Sequence, residues 1–132
     1  MTSRPRVLVA DDHAAMLDSL VQMLSSEFEV VATVSDGLAA VTTATQLRPD
    51  LLVLDIAMPG LNGIATAARL KSLGSTARVV FVTNMRGREF VDKSLALGPV
   101  GFVAKDRLVA DLFPAIRSVL AGEAFISPSV SH

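Results

Sequence analysis

Residues 51–60 read LLVLDIAMPG, and this stretch decides the fold. Four apolar residues lead directly into Asp55, and a Met58-Pro59-Gly60 turn follows. A short, continuously apolar run that ends at a turn is typical of a parallel strand buried on both faces. The stretch therefore predicts a central strand that delivers a carboxylate to one edge of a sheet.

Similar apolar runs recur along the chain and predict strands over residues 6–10, 30–34, 51–55, 79–83 and 100–104. A helical pattern follows each run. Strands that alternate with helices indicate a parallel sheet with helices on both faces. We therefore expect a doubly wound α/β domain.

The five helical patterns cover, in order, residues 16–24, 37–47, 62–73, 87–97 and 108–120. Asn62 is a good N-cap residue and marks the start of the third helix. Pro49 disfavours a helical conformation in the residue before it, which ends the second helix at Arg48. Gly74 is expected to stop the third helix after Leu73.

Length and composition restrict the class of protein. The chain has 132 residues, 51% of them hydrophobic, and fits one domain with a sizeable core. A formal net charge of -1 offers no basic footprint for nucleic acid, and the lack of cysteine excludes disulfides and thiolate metal sites. No stretch reaches the roughly 18 apolar residues that span a bilayer. We expect a single domain over residues 1–132, in the cytoplasm, that binds neither membrane nor nucleic acid directly.

Four of the predicted strands end in residues suited to phosphate chemistry, namely Asp11 with Asp12, Asp55, Thr83 and Lys105. The carboxyl ends of parallel strands meet at one edge, so these side chains are expected to share a pocket. Three carboxylates repel one another unless a cation is bound, and oxygen donors favour Mg²⁺. Asp55 is then the candidate nucleophile in phosphoryl transfer. Lys105 would supply a positive charge, and Thr83 a hydroxyl for an added phosphate.

Each of these residues also has an ordinary structural role. Asp11 and Asp12 would cap the first helix, and Asp55 would be a turn residue. Thr83 would simply end a strand, and Lys105 would be a solvated charge. Their joint position at four strand ends favours the phosphate site.

Three further residues are interpreted more plainly. His13 adjoins the acidic pair, but its position indicates a loop residue at a helix start rather than a ligand. Arg86 and Arg88 would lie on a partner-docking face or be ordinary exposed charges.

The chain resembles the receiver domain of bacterial two-component response regulators over essentially its full length. The residues that carry the resemblance are Asp11-Asp12, Asp55, Met58-Pro59-Gly60, Asn62-Gly63, Thr83, Phe102 and Lys105. Lys105-Asp106 and residues 122–128 are similar to the LuxR-type (NarL/FixJ) subgroup. The resemblance implies a flavodoxin-like, CheY-like (βα)5 fold with a five-stranded parallel sheet in the order 2-1-3-4-5.

The resemblance also implies a phosphorylation switch. Asp55 would accept a phosphoryl group from a sensor histidine kinase, assisted by Lys105 and Thr83. Mg²⁺, with Mn²⁺ as an alternative, would be held by Asp11, Asp12, Asp55 and the backbone carbonyl of Ala57.

Thr83 and Phe102 would pass the change to the surface of the fourth helix, fifth strand and fifth helix, where phosphorylation would favour a homodimer. Phe102 replaces the more usual tyrosine of the family and lacks its hydroxyl. Asn84 stands where a small residue is common, which would slow transfer or shield the phosphate.

In the LuxR-type subgroup a helix-turn-helix domain normally follows the receiver. Residues 122–132 are therefore expected to form a linker or tail toward such a domain, and DNA would be bound only through it. Two other functions stay open at this point: a pseudo-receiver that binds partners without phosphotransfer, and a small phosphohydrolase with an aspartyl-phosphate intermediate. For a receiver we expect no enzymatic activity beyond its own phosphotransfer and dephosphorylation.

Overall fold

The computed structural model describes residues 4–84 and 88–128. Its strands are β1 (Arg6–Ala10), β2 (Glu29–Val34), β3 (Leu51–Asp55), β4 (Arg78–Thr83), β5 (Val100–Ala104) and β6 (Phe125–Ile126). Its helices are α1 (Ala14–Leu24), α2 (Gly37–Leu47), α3 (Gly63–Ser72), α4 (Arg88–Ser94) and α5 (Leu108–Leu120). Short 3₁₀ segments cover Leu95–Leu97 and Lys105–Arg107.

The sheet is parallel throughout and has the order β2-β1-β3-β4-β5-β6. The predicted fold class and the order of the first five strands are confirmed. The structure adds β6, which pairs with Gly101 and Phe102 at the β5 edge. Two residues are too short to show a period, so the sequence pattern did not reveal this strand. It lies within residues 122–132, the expected tail.

Helices cover both faces of the sheet. On one face, α1 and α5 bury residues such as Leu20, Leu112 and Ile116. On the other face, α2, α3 and α4 pack around Phe81 and Leu70. Each fully buried side chain of this size contributes roughly 1.5–3 kcal/mol. Because both faces are covered, β3 is buried over its whole length, as its apolar run predicts.

Caps and turns set the ends of the helices. The Asn62 side chain accepts a hydrogen bond from the Ala65 N–H at 2.8 Å, which confirms Asn62 as the N-cap of α3. Arg48 adopts a left-handed conformation with φ 49° ahead of Pro49 and so ends α2, as predicted. The third helix ends one residue earlier than predicted, because Leu73 is its C-cap.

The fourth helix is only partly described. Residues 85–87, which include the predicted start of this helix and Arg86, lie outside the described residues, and so does the side chain of Arg88. From Arg88 the helix runs to Ser94, and Leu95–Leu97 continue it as a 3₁₀ segment. Within the described ranges no helix is both long enough and apolar enough to cross a membrane.

Candidate functional site

Three charged side chains meet at the carboxyl edge of the sheet. Asp11 follows β1, Asp55 ends β3, and Lys105 follows β5. The Lys105 Nζ lies 3.2 Å from Asp11 Oδ2 and 3.4 Å from Asp55 Oδ2. The order of the strands thus brings these predicted site residues together.

Both carboxylates are buried. Asp11 is 0% exposed and Asp55 is 3% exposed. Burial, followed by the negative charge of Asp11, raises the pKa of Asp55 above its ordinary value. Lys105 and the Ala57 N–H, which donates to Asp55 Oδ1 at 3.2 Å, oppose this rise in the pKa. Ionised Asp55 is therefore only partly compensated by its neighbours.

The residues present fit a divalent metal ion. Asp11, Asp12, His13 and Asp55 offer donor atoms within 4.8 Å of one another. Asp11 Oδ2 is the buried side-chain atom that accepts no hydrogen bond within the described part of the chain, although Lys105 lies at ion-pair distance. Three carboxylates against one ammonium leave an excess of two negative charges. Mg²⁺ prefers such oxygen donors, so this pocket suits it.

The two acidic residues after β1 do not cap α1, so their alternative structural role is wrong. The N-cap residue is His13, its side chain makes no capping hydrogen bond, and the first turn contains no acidic residue. Asp11 Oδ1 instead accepts the backbone N–H of His13 at 2.9 Å, which closes the turn between β1 and α1. The position of His13 at a helix start is as predicted, but its ring also reaches the acidic cluster, with Nδ1 3.0 Å from Asp12 Oδ1.

The predicted hydroxyl and aromatic residues lie on the neighbouring strands. Thr83 is buried at the end of β4 and pairs in register with Ala104. It follows Val82, the register partner of Asp55, so its backbone stands at the same edge. Phe102 is buried, with its ring centroid 5.1 Å from that of Phe81.

Gly63 holds the start of α3 against the strand that carries Asp55. Its N–H donates to the Ile56 carbonyl at 2.8 Å. A Cβ at residue 63 would collide with the carbonyl oxygen of Asp55. Only glycine allows this close approach. The loop of residues 56–62, which contains Ala57, is thereby fixed next to the site.

Sequence reasoning missed a second polar cluster, formed by Arg107, Asp111 and Ser127. Asp111 Oδ2 accepts hydrogen bonds from Arg107 Nε at 2.8 Å and from Ser127 Oγ at 2.6 Å. The Ala104 N–H donates to Ser127 Oγ at 3.1 Å. The spacing of Arg107 and Asp111 is the helical i,i+4 spacing of an ion pair and was a usable signal. Ser127 comes from the far end of the chain and gave none.

Comparisons of the sequence identify relatives. The family model described as the response regulator receiver domain matches residues 7–117. A nitrate/nitrite response regulator protein homolog from Haemophilus influenzae is 32% identical over an alignment of 134 positions that covers 100% of this chain and 64% of that protein. The nitrate/nitrite response regulator NarL of Escherichia coli is 32% identical over 127 residues, which are 95% of this chain and 59% of that protein. The chain spans less than two thirds of the length of either relative.

Solved structures have the same fold. A two-component response regulator of the LuxR family from Aurantimonas superposes with a TM-score of 0.89 at 28% identity, covering 97% of this chain and 93% of that chain. The isolated receiver domain of RcsB from Salmonella enterica, with the phosphomimetic BeF3-, gives a TM-score of 0.86 at 25% identity, covering 97% and 96%. The matched family model, the relatives and the shared fold agree, and this chain belongs to the response regulator receiver domain family, with LuxR-type regulators among its relatives.

Proposed function

We propose that this chain is a phosphoacceptor switch in which Asp55 receives a phosphoryl group from the phosphohistidine of a sensor histidine kinase. The observation that carries the proposal is the buried, partly compensated carboxylate of Asp55, 3.4 Å from the Lys105 ammonium. An Asp55 oxygen attacks phosphorus, and the P–N bond to the donor imidazole breaks as the P–O bond forms. The imidazole nitrogen takes a proton from solvent, and Asp55 becomes a mixed anhydride.

Lys105 and the acidic cluster serve this transfer. The Lys105 ammonium bridges Asp11 and Asp55 and is within reach of a phosphoryl oxygen placed on Asp55. A bound Mg²⁺, or Mn²⁺, would neutralise charge on the carboxylates and on the phosphoryl oxygens. We assign its ligands to Asp11, Asp12, Asp55 and the backbone carbonyl of Ala57, which belongs to the loop held by Gly63.

The relay to the surface begins at Thr83 and Phe102. We assign to Thr83 a hydrogen bond from its hydroxyl to the new phosphoryl group. Phe102 is already turned inward in this conformation, against Phe81. Phosphorylation would then act by favouring the inward ring over outward alternatives, a shift of population. The surface of α4, β5 and α5 would read this shift and pair with a second copy.

We base the proposed domain context of this receiver on its LuxR-type relatives. Residues 122–132 would lead to an effector domain, and DNA would be contacted through that domain rather than by residues 4–121. The activity of the receiver itself would be limited to its own phosphotransfer and dephosphorylation, in the cytoplasm. Asn84 is exposed directly after Thr83, and its predicted effect on the phosphate lifetime stays a prediction.

The test is phosphorylation by a small donor. The protein is incubated with acetyl phosphate and Mg²⁺, and the intact mass is measured. We expect one phosphoryl adduct in the wild type and none in Asp55→Asn. Asp36→Asn is the matched control, because Asp36 caps α2, is not a member of the acidic cluster, and asparagine caps equally well. This control should carry the adduct.

Two outcomes would overturn the proposal. An unmodified wild type that keeps its fold would favour the pseudo-receiver. Sustained release of phosphate from small phosphomonoesters would favour the phosphohydrolase.

A further inference from the structure

His13 occupies the rim of the acidic pocket. It is the N-cap residue of α1, and its backbone is fixed by the hydrogen bond from its N–H to Asp11 Oδ1. Its ring nitrogen Nδ1 lies 3.0 Å from Asp12 Oδ1 and 3.3 Å from Asp11 Oδ1. The side chain is 69% exposed, and its ring faces the two carboxylates through contacts of Nδ1 at hydrogen-bond distance.

These distances match the edges of a metal coordination shell. In an octahedral site with bonds of about 2.1 Å, neighbouring donor atoms are about 3.0 Å apart. His13 Nδ1 lies from one oxygen of Asp11 and from one oxygen of Asp12 at the spacing of adjacent donors of one ion, and donor atoms of these three residues and Asp55 all lie within 4.8 Å of one another. Asp11 Oδ2, fully buried in the same cluster, accepts no hydrogen bond within the described residues, and the Lys105 ammonium 3.2 Å away is its charged neighbour.

We propose that His13 is a further metal ligand and gives this pocket a preference for borderline first-row ions such as Fe²⁺, Co²⁺, Ni²⁺ or Zn²⁺ over Mg²⁺. This inference rests on the proposed metal site. An imidazole nitrogen binds these ions much better than it binds Mg²⁺, which prefers oxygen. Exposure of the ring keeps it free to turn by the small amount that coordination requires.

The chain has so few histidines that a histidine bound to a metal ion can be assigned by spectroscopy. The sequence has two histidines, His13 and His132, and no cysteine. A histidine that coordinates Co²⁺ shows an exchangeable ring N–H proton with a large paramagnetic shift in the proton NMR spectrum. We expect one such signal in the Co²⁺-loaded wild type. It should vanish in His13→Asn and persist in His132→Asn, the matched control.

Affinities for the two ions give a second readout. Asparagine at residue 13 keeps an oxygen donor and a good N-cap, so the fold and Mg²⁺ binding should be retained. Competition calorimetry should show that His13→Asn weakens Co²⁺ binding about tenfold or more and Mg²⁺ binding by less than about threefold. An unchanged ratio of the two affinities, with no shifted ring proton, would overturn the inference and leave His13 as a hydrogen-bond partner of the carboxylates.

Failure of the inference can be told apart from failure of the proposed function. If the wild type acquires a phosphoryl group at Asp55 with Mg²⁺ but gives no histidine signal with Co²⁺, only the role of His13 is wrong. If neither Mg²⁺ nor Co²⁺ binds and Asp55 stays unmodified, both proposals are wrong.

Discussion

Asp55 and Asp111 are both buried aspartates near the same end of the sheet, but their surroundings act in opposite directions. Asp111 receives two hydrogen bonds from Arg107 and one from Ser127. The hydrogen bonds from Arg107, followed by that from Ser127, lower the pKa of Asp111, against the opposing effect of burial. Asp55 lies beside Asp11, and burial together with this like charge raises its pKa.

The difference separates a structural carboxylate from the carboxylate that we propose to be reactive. Asp111 is satisfied by partners within the fold, and through Ser127 it fixes the residue after β6 to the end of β5. The negative charge of Asp55 is compensated only in part by Lys105 and the Ala57 N–H, so a bound cation can supply the missing positive charge. Ionisable groups that are buried without full compensation are candidates for function on physical grounds.

Mg²⁺ should stabilise the site around Asp55 and leave that of Asp111 unaffected. At a concentration one hundred times its dissociation constant, a ligand adds about 2.7 kcal/mol, which for a domain of this size raises the melting temperature by about 10 °C. Thermal unfolding followed by circular dichroism measures this. Asp12→Asn should reduce the shift, whereas Ser127→Ala should keep it in full. If millimolar Mg²⁺ left the melting temperature of the wild type unchanged, that result would contradict the metal site.

Ser127→Ala should weaken the structural carboxylate instead. The change removes a hydrogen bond to buried Asp111 and leaves the Ala104 N–H without its partner. An unsatisfied buried group costs about 1–3 kcal/mol. Urea unfolding without metal measures the loss. Ser72→Ala is the control, because the Ser72 hydroxyl donates to the Arg69 carbonyl at an exposed position. This substitution should change the free energy of unfolding little. Equal effects of the two substitutions would show that Ser127 is not a structural anchor.

The contrast also explains what the sequence could reveal. Asp55, Asp11 and Lys105 directly follow or end long apolar strands, so strand order alone places them at one edge. The strands, the ends of α2 and the cap of α3 were predictable because periodicity, proline and asparagine act locally. Rules for local backbone structure were therefore enough to predict most of the fold and the clustering of Asp11, Asp55 and Lys105.

What the sequence could not reveal depends on contacts between side chains far apart in the chain. The hydrogen bond from Ser127 to Asp111 joins the residue after β6 to a residue of α5. Nothing in the sequence around either residue predicts that the two side chains meet. Likewise, His13 has the position of an ordinary helix-start residue, and only the turn closed by Asp11 aims its ring at Asp12. The inward position of Phe102 equally follows from packing against Phe81.

Asp55→Asn should stabilise the metal-free protein, by less than Ser127→Ala destabilises it. The substitution removes a buried charge that repels Asp11 and is only partly offset by Lys105. Urea unfolding in a chelating buffer at neutral pH measures the gain, with Asp36→Asn as the control. With saturating Mg²⁺ the wild type should instead be more stable than Asp55→Asn, because the variant lacks one of the proposed metal ligands. A loss of stability in chelating buffer would mean that Lys105 more than compensates Asp55.

The smallest effect is a pair of opposite pH dependences. For Asp55 the pKa in the folded state lies above its ordinary value of 3.8, so the folded state holds its proton more tightly than the unfolded chain. Stability from this group therefore falls as the pH rises from about 3.8 through the raised pKa. For Asp111 the folded pKa lies below 3.8, so its contribution is present above 3.8 and is lost as the pH falls through the lowered pKa.

Unfolding measured without metal across this pH range separates the two groups. Asp55→Asn should remove the decline on the alkaline side of 3.8, and Asp111→Asn should remove the decline on the acidic side. Each variant should leave the other limb unchanged, because Asp55 and Asp111 have no charged partner in common among the groups that shift their pKa values. If both substitutions altered the same limb, the two carboxylates would be titrating as one system, and the division between a reactive and a structural aspartate would fail.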